Sequence, residues 1–284
     1  MTQYTYEEQV QELIEKIQNA DAILIGASNG FSISEGLHLF AENQAFAELF
    51  GDFRGKYGIH NILQGYFAKY PLEEVKWAFS SRLAHHYSGN YTGSENTDAL
   101  KRIIGKKPYF MVTSNGENHF ELAGFNAENI YEIEGSWKYM QCEKPCHKNL
   151  YPAFHLLRDM ATQESDGKIP SSLVPQCPKC GGPMMLHVAV NDAFIPDDAA
   201  NIRFQQFINK YKNQKLVVLE LGIGWRNQMI KAPLMNLVAR EPQAVYVTIN
   251  KGEIYIPDQI VNKSYGLDGD ITKILRDLAE AMEC

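Results

Sequence analysis

The sequence contains no apolar run that approaches the roughly 18 residues needed to cross a bilayer. Residues 1–20 are charged and amphipathic, and they lack the basic flank and the apolar stretch of a signal peptide. Positive charge is also scarce, because 27 Lys and Arg stand against 34 Asp and Glu, a net charge of −7. Nucleic acids and anionic membranes attract basic surfaces, so neither is expected as a partner. We therefore expect a cytoplasmic protein.

Cysteine is scarce as well, with five in 284 residues, and an odd number does not suit a disulfide framework. Four of the five fall within residues 142–180, and Cys284 stands apart as an expected exposed thiol. Hydrophobic residues make up 45% of the chain and charged residues 21%, a balance typical of a globular enzyme. The length suits one large domain that carries a small inserted module.

Apolar segments alternate with amphipathic segments along most of the chain. Short buried strands are predicted at 22–25, 109–113, 130–133, 215–221 and 244–249. Helices are predicted at 6–19, 72–87, 117–124, 198–213, 227–240 and about 270–283, with further helical patterns between 35 and 105. This alternation indicates an α/β fold, in which a Rossmann-like parallel sheet is covered by helices on both faces.

Residues 137–188 break the alternation. This stretch carries the four clustered cysteines, several prolines and the pair Gly181-Gly182, and it reads as an irregular insertion between two halves of the sheet. We therefore predict a Rossmann-like domain from 1–136 and 189–284, with a helical insertion at about 38–105. Residues 137–188 form the predicted inserted module.

The clustered cysteines occur as two pairs. Three residues separate Cys142 from Cys146, two separate Cys177 from Cys180, and 30 residues lie between the pairs. Two such knuckles can aim four thiolates at one point, which suits a tetrahedral Cys₄ zinc site. Four protein ligands leave no open position, so the metal would stabilise the module and take no part in catalysis. The alternative is four unrelated buried thiols.

A phosphate-binding loop is the second candidate feature. The first predicted strand runs into Gly26-Ala27-Ser28-Asn29-Gly30, and a helical pattern follows. Small residues allow the backbone to approach an anion at the start of a helix, although the spacing departs from G-x-G-x-x-G, and an ordinary strand-to-helix turn is the alternative. Gly222, Gly224 and Asn250 follow later strands, at the sheet edge where α/β proteins bind ligands.

Several stretches carry recognisable motifs in order. Residues 28–37 are similar to a nucleotide loop of the type Gly-Ala-Gly-Ile-Ser, and 113–117 is similar to Thr-Gln-Asn-Ile-Asp. Residues 122–124 are similar to Arg-Ala-Gly, and 134–136 stands in the place of His-Gly-Ser. The two cysteine pairs follow. In this order, over nearly the whole chain, the sequence resembles the sirtuin family, which implies a Rossmann-like fold, NAD as co-substrate and a structural zinc ion.

Three departures from the family pattern bear on activity. The histidine that serves as general base in sirtuin deacylases is replaced by Glu134. The acyl-peptide-binding Phe-Gly-Glu is Asn191-Asp192-Ala193, and Gly-Thr-Ser is Gly222-Ile223-Gly224. All three departures argue against lysine deacylation.

Residues 50–53 and 56–60 are similar instead to the macrodomain-linked bacterial sirtuins of class M, which also lack the histidine and usually have Gln in place of Glu134. That resemblance implies ADP-ribosyl transfer to a protein acceptor, often a lipoyl-carrier protein related to the glycine-cleavage H protein. A macrodomain protein is a further implied partner.

The resemblance also implies roles for single residues. Cleavage of the glycosidic bond of NAD passes through an oxocarbenium-like ribosyl cation. Asn115 would hydrogen-bond the nicotinamide ribose, Glu117 would accept from the nicotinamide amide, and Glu134 would act as general base or steady the cation. The remaining predicted NAD-binding residues are Gly26, Ser28, Asn29, Gly30, Phe31 and Ser32 for the pyrophosphate and ribose, and Gly222, Gly224 and Asn250 for the adenosine half.

Three functions remain open on the sequence alone. The leading hypothesis is an NAD-dependent protein ADP-ribosyltransferase of the sirtuin type. The alternatives are an NAD-dependent lysine deacylase in which Glu134 replaces the histidine, and an inactive protein that binds NAD or ADP-ribose. His85, His86, His119 and His155 have no partner that the sequence identifies, and surface or packing roles are expected for them.

Overall fold

The computed structural model describes residues 5–282. A six-stranded parallel sheet forms the centre of the larger part of the fold. The strands are β1 (Ala22–Ala27), β2 (Tyr109–Thr113), β3 (Ile130–Glu132), β7 (Leu216–Leu221), β8 (Val245–Asn250) and β9 (Ser264–Asp268). Their order across the sheet is β3-β2-β1-β7-β8-β9. The chain adds strands to one side of β1 and then returns to add strands to the other. The strand order therefore reverses between β1 and β7, the position where open α/β sheets bind ligands.

Three helices cover one face of the sheet. They are α1 (Tyr6–Gln18), α6 (Glu95–Ile104) and α11 (Ile271–Ala281), and their apolar residues share a core with Ile23, Ile25 and other strand residues. The start of α1 is fixed by a capping box, in which Thr5 and Glu8 exchange side-chain to backbone hydrogen bonds. Val10, Leu13, Ile14 and Ile17 then fall on its buried face.

Two helices cover the opposite face. They are α9 (Asp198–Lys210) and α10 (Gln228–Arg240), which pack on the alternate residues of the same strands, such as Leu24 and Val218. Successive strand residues point to opposite faces, so a strand that is apolar at every position is buried on both sides. This arrangement confirms the predicted parallel sheet with helices on both faces.

A second core joins the helical segment to the cysteine module. The helices are α3 (Gln44–Tyr57), α4 (Ile62–Phe67), α5 (Glu73–Ser88) and α8 (Phe154–Gln163). The strands β4 (Gly135–Cys142), β5 (Tyr151–Pro152) and β6 (Met184–Val188) form an antiparallel sheet in the order β5-β4-β6. Phe50 and Trp77 of the helices lie in one hydrophobic cluster with Cys142 and Cys177. The two segments therefore support each other.

The secondary structure differs from the prediction in two places. Residues 137–188 are only partly irregular, because β4, β6 and α8 are regular elements that bury one face of the module. The strand β9 was missed, since its sequence Ser-Tyr-Gly-Leu-Asp has no apolar run. Its place at the sheet edge explains why alternation and burial give so weak a signal there. The short helices α2 (Asn29–Ser34) and α7 (His119–Leu122) follow β1 and β2.

The division of the chain into 1–136 with 189–284 and 137–188 stays a prediction. Two structural facts bear on it: β4 begins at Gly135, and α6 packs against α11 on the large sheet. Within residues 5–282, no helix has both the length and the apolar character needed to cross a membrane.

Candidate active site and zinc centre

A cavity of about 540 Å³ lies at the carboxyl ends of β1, β7 and β8, where the strand order reverses. Its size falls in the range of small-molecule and cofactor sites. Six of the predicted NAD-binding residues line it: Ser28, Asn29, Gly30, Gly222, Gly224 and Asn250. The structure thus brings together residues that are more than 220 positions apart in the chain.

The floor of the cavity is formed by two glycines in close backbone contact. The Gly30 N–H donates to the Gly222 carbonyl at 2.9 Å. A Cβ built on Gly30 would lie 2.5 Å from the Gly222 Cα, and Gly222 itself has a left-handed φ of 61°. No other residue fits at Gly30 without moving backbone, and the left-handed conformation at Gly222 disfavours any side chain there. A floor of bare backbone lets a ligand approach the main chain closely, while the N–H groups of Gly30 and Gly222 themselves donate to the carbonyls of Gly222 and Ile249.

Gly26 and Phe31 lie outside this cavity lining. Gly26 is a buried residue of β1, and a Cβ on it would lie 2.4 Å from Leu234 of α10. Phe31 is buried with its ring centroid 5.0 Å from that of Phe120. Both residues pack the loop against its surroundings and do not face the cavity.

A group of polar residues, called here the polar wall, follows β2, and its members Asn115 and Glu117 lie outside the cavity lining. Asn115 is buried, its amide Nδ2 donates to the Ser28 carbonyl at 3.1 Å, and its Oδ1 accepts from no donor of residues 5–282. The buried Glu117 accepts a 2.5 Å hydrogen bond from the Ser32 hydroxyl. Burial raises the pKa of Glu117, and the nearby His119 and the Ser32 hydroxyl oppose that rise. A buried amide oxygen without a donor needs an explanation, and a ligand hydroxyl would supply one.

Glu134 lies on the segment between β3 and β4 and, like Asn115 and Glu117, is not among the residues that line the cavity. The Trp137 N–H donates to the Gly116 carbonyl at 2.8 Å, so the start of β4 is fastened to the loop between Asn115 and Glu117. Glu134 is half-buried, and burial raises the pKa of its carboxyl group. Its carbonyl accepts from the Ala189 N–H at 2.9 Å, which fixes the backbone there. A carboxyl group with a raised pKa is a stronger base once it is ionised.

Sequence analysis missed several residues of the cavity lining. Trp225, Arg226 and Asn227 follow Gly224, and Asn227 donates to the hydroxyls of Ser28 and Ser114 at 3.0 and 2.9 Å. The other missed lining residues are Ile33, Phe40 and Glu253. Phe40 and Trp225 are large aromatic residues that are exposed at the cavity. Their exposure is visible only in the structure, so the sequence could not identify them.

The four clustered cysteines converge at one point. Their Sγ atoms all lie within 4.8 Å of one another, and the Cys142–Cys180 and Cys146–Cys177 separations are both 3.7 Å. Four sulfurs at Zn–S distances near 2.3 Å in a tetrahedron are separated by roughly 3.8 Å. The donor set and the spacing therefore fit a structural zinc ion. Cys284 lies outside the described residues.

The comparisons with known proteins agree with this geometry. No protein-family model matches the sequence. The chain is 32% identical over 273 residues to a protein ADP-ribosyltransferase of Staphylococcus aureus, and the match covers 94% of this chain and 86% of the relative. A Fusarium oxysporum protein named "Probable bifunctional ADP-ribose hydrolase/ADP-ribosyltransferase" is 28% identical over 246 residues, which is 80% of this chain and 39% of that protein.

Solved structures identify the fold. A Sir2 homologue in complex with NAD matches with a TM-score of 0.63 and 17% identity, over 96% of this chain and 93% of the other. A Sir2 homologue variant in complex with ADP-ribose matches with a TM-score of 0.61 and 13% identity, over 96% of both chains. The fold is therefore that of the Sir2 proteins. Together with the near-full-length match to the S. aureus transferase, it places this chain in the sirtuin family.

Proposed function

We propose that this protein is an NAD-dependent protein ADP-ribosyltransferase, which transfers ADP-ribose from NAD to a protein acceptor and releases nicotinamide. The single observation that carries the proposal is the 32% identity to a protein ADP-ribosyltransferase over 94% of the chain. Glu134, which the sequence resemblance sets at the position of the deacylase histidine, supports it further, as does a cavity at the carboxyl ends of the strands in a Sir2-like fold.

In this proposal NAD lies across the reversal of strand order. The loop at Ser28, Asn29 and Gly30 lies against the pyrophosphate, which the Arg226 side chain at the same cavity holds by its charge. Gly26 and Phe31 act indirectly, since they pack this loop in place. The adenosine half is held by Gly222, Gly224 and Asn250, with Glu253 and Trp225 as additional lining residues.

The nicotinamide ribose lies toward the polar wall. Asn115 Oδ1, which has no donor within residues 5–282, accepts from a ribose hydroxyl, and Glu117 accepts from the nicotinamide amide. Ser32 orients Glu117 through its 2.5 Å hydrogen bond. These contacts fix the glycosidic bond relative to Glu134.

The reaction then breaks one bond and forms one. The C1′–N bond of NAD breaks, its electron pair leaves with nicotinamide, and positive charge develops on the ribose. An acceptor side chain attacks C1′, and Glu134 takes the proton of that nucleophile if it carries one. The Glu134 carboxylate also stabilises the developing cation. A carboxylate can serve both purposes, whereas a protonated imidazole would repel the cation.

The acceptor in this proposal is a lipoyl-carrier protein related to the glycine-cleavage H protein, as in the class M sirtuins, and a macrodomain protein removes the modification. The name of the Fusarium relative, which pairs an ADP-ribose hydrolase with an ADP-ribosyltransferase, supports a partner of opposite activity. Four cysteines gathered as a candidate metal site are typical of a reducing compartment and support a cytoplasmic location, which cell fractionation would test.

Incubation with labelled NAD separates the three functions. A transferase gives label on an acceptor protein together with equimolar free nicotinamide. A deacylase gives acyl-ADP-ribose from an acylated peptide, and an inactive binder gives thermal protection by NAD without nicotinamide. Candidate acceptors should be offered with and without the lipoyl group. Label that appears on no protein, while acyl-ADP-ribose accumulates, would contradict the proposal.

A further inference from the structure

A buried ion pair lies directly behind the polar wall of the site. The His119 Nδ1 is 2.5 Å from the Glu35 Oε2, and the two side chains are only 3% and 1% exposed. The two residues are 84 positions apart and come from α7 and from the end of α2. The sequence identified no partner for His119, because Glu35 lies 84 positions away in the chain.

The hydrogen bonds of His119 define its protonation. Nδ1 faces the Glu35 carboxylate, and Nε2 faces the Tyr87 carbonyl oxygen at 2.9 Å. Both partners are acceptors only, so both ring nitrogens must donate, and a neutral imidazole has only one N–H. The Tyr91 ring stacks on the imidazole at 3.7 Å with an interplanar angle of 4°, and an aromatic face stabilises a cation. The geometry therefore requires an imidazolium.

The hydrogen bonds of Glu35 indicate that its side chain is an ionised carboxylate. The Tyr91 hydroxyl donates to its two oxygens at 3.0 and 3.1 Å, and the Ser94 hydroxyl donates to Oε1. With His119, three side chains donate to this one buried group. A carboxylate can accept all of these hydrogen bonds, whereas a protonated acid would have to donate one of its own.

The same network reaches Glu117. Ser32, three residues before Glu35, donates to Glu117 Oε1 at 2.5 Å, and Ser88, next to Tyr87, donates to the Glu117 carbonyl at 2.8 Å. The charged and titratable groups around His119 are thus Glu35 from α2, Glu117 from the loop before α7, and Tyr87 and Tyr91 from the end of α5 and the loop after it. Glu117, two residues before His119, is thus a second buried carboxyl group beside this cation, and the charge of His119 opposes the rise in the Glu117 pKa that burial causes.

We propose that His119 is a permanently protonated positioning residue, whose charge keeps Glu117 ionised and oriented for the nicotinamide amide. The role of Glu117 toward nicotinamide rests on the proposed function. The charge of His119 and its effect on Glu117 are independent of the proposed function. Burying a second carboxylate beside Glu35 without this cation would leave an uncompensated charge, which Glu117 would avoid by taking up a proton.

The charge of His119 is measured directly by ¹H–¹⁵N NMR of the imidazole nitrogens. We expect the imidazolium pattern to persist at pH 8, well above the ordinary histidine pKa of about 6.5. His187 provides the contrast in the same spectrum, because its Nδ1 has no partner among the described residues and burial lowers its pKa. A neutral tautomer of His119 at pH 7 would overturn the proposal.

The effect on Glu117 is measured by ¹³C titration of its carboxyl carbon, assigned with Glu117→Gln. In His119→Gln, which keeps a hydrogen-bonding side chain but loses the charge, the Glu117 midpoint should move to higher pH by at least one unit. His119→Lys, which restores a cation, should recover part of that shift, and His155→Gln on the exposed face of α8 should cause none. An unchanged Glu117 titration in folded His119→Gln would overturn the proposal even if the protein showed no turnover.

Activity then links the network to the reaction. Nicotinamide release by His119→Gln should be reduced at least tenfold at pH 6 and recover toward the wild-type rate at pH 9, since Glu117 becomes ionised again. A loss that is equal at every pH would indicate a merely structural role and contradict the proposal. Absence of turnover in the wild-type protein would contradict the proposed function alone, because both NMR results would still stand.

Discussion

Asn115 and Ser28 connect the two motifs that build the polar half of the site. The Asn115 amide donates to the Ser28 carbonyl at 3.1 Å, across 87 positions of sequence, and this bond fixes the side-chain orientation. The opposite atom of the same amide, Oδ1, is buried and receives no hydrogen bond within residues 5–282. One end of Asn115 thus holds the loop, and the other end is free for a substrate hydroxyl.

We expect Asn115→Ala to lower kcat/KM for NAD by roughly 10- to 100-fold, which corresponds to the 1–3 kcal/mol of one buried hydrogen bond. Initial rates of nicotinamide release, measured over a range of NAD concentrations, test this. Asn19→Ala, an exposed asparagine at the end of α1, serves as the control and should retain the wild-type rate. Equal rates for both variants would remove Asn115 from the site.

Glu134→Ala should lower turnover by roughly 100-fold or more, the usual contribution of a general base, and leave the Kd for NAD nearly unchanged. In the wild type, burial raises the pKa of Glu134, so turnover should rise with pH as the carboxyl group ionises. This limb of the pH profile should disappear in Glu134→Gln. Binding is measured by calorimetry and turnover by transfer of label from NAD.

Glu132 is the necessary control for that pH profile. Burial raises its pKa to about 7, although Lys138 opposes the rise, and it lies only two residues from Glu134. If Glu132→Gln retained the wild-type limb while Glu134→Gln lost it, the limb would belong to Glu134. The reverse result would assign the pH dependence to Glu132 at the end of β3.

Much of the fold was readable from local sequence, because buried strands such as β1 and β7 are apolar at every position and amphipathic helices repeat with a period near 3.6. The zinc ligands were equally readable, since each knuckle is a local pair. The sequence did not reveal which distant segments meet, such as the contact of Glu35 with His119 or the placement of Phe40 and Trp225 at one cavity. Their approach depends on helix packing, which no local pattern encodes.

Gly30→Ala should lower NAD affinity and thermal stability together, because the new methyl group would meet Gly222 backbone atoms 2.5 to 3.0 Å away. A backbone segment cannot move aside as a flexible side chain can, so the Gly30 and Gly222 backbones would have to move apart. Gly51→Ala provides the matched control, since nothing lies within 4 Å of its added methyl group in α3. That control should be neutral or up to about 1 kcal/mol more stable. Thermal melts with and without NAD distinguish the two variants.

Zinc removal should unfold more than the cysteine module. We expect about one zinc ion per chain by elemental analysis, held by Cys142, Cys146, Cys177 and Cys180. Because Cys142 and Cys177 lie in one core with Phe50 and Trp77, chelation should also melt the helices α3 and α5. Loss of near-ultraviolet circular dichroism and of tryptophan burial would show this. A zinc-free chain with unchanged spectra would contradict the assignment.

Lys231→Met should destabilise the protein by about 3–5 kcal/mol, the usual cost of stranding one member of a buried ion pair. Lys231 and Glu220 are completely buried, their Nζ and Oε1 atoms are 2.5 Å apart, and Thr248 and Tyr246 also donate to the Glu220 carboxylate. In the double variant Lys231→Met with Glu220→Gln, no charge is left uncompensated. Tyr246 and Thr248 face different oxygens of Glu220, so the amide oxygen accepts from one hydroxyl and the amide NH2 donates to the other. The double variant should therefore recover part of the lost free energy of unfolding, measured by urea denaturation. If it were no more stable than Lys231→Met alone, packing and not charge would explain the loss.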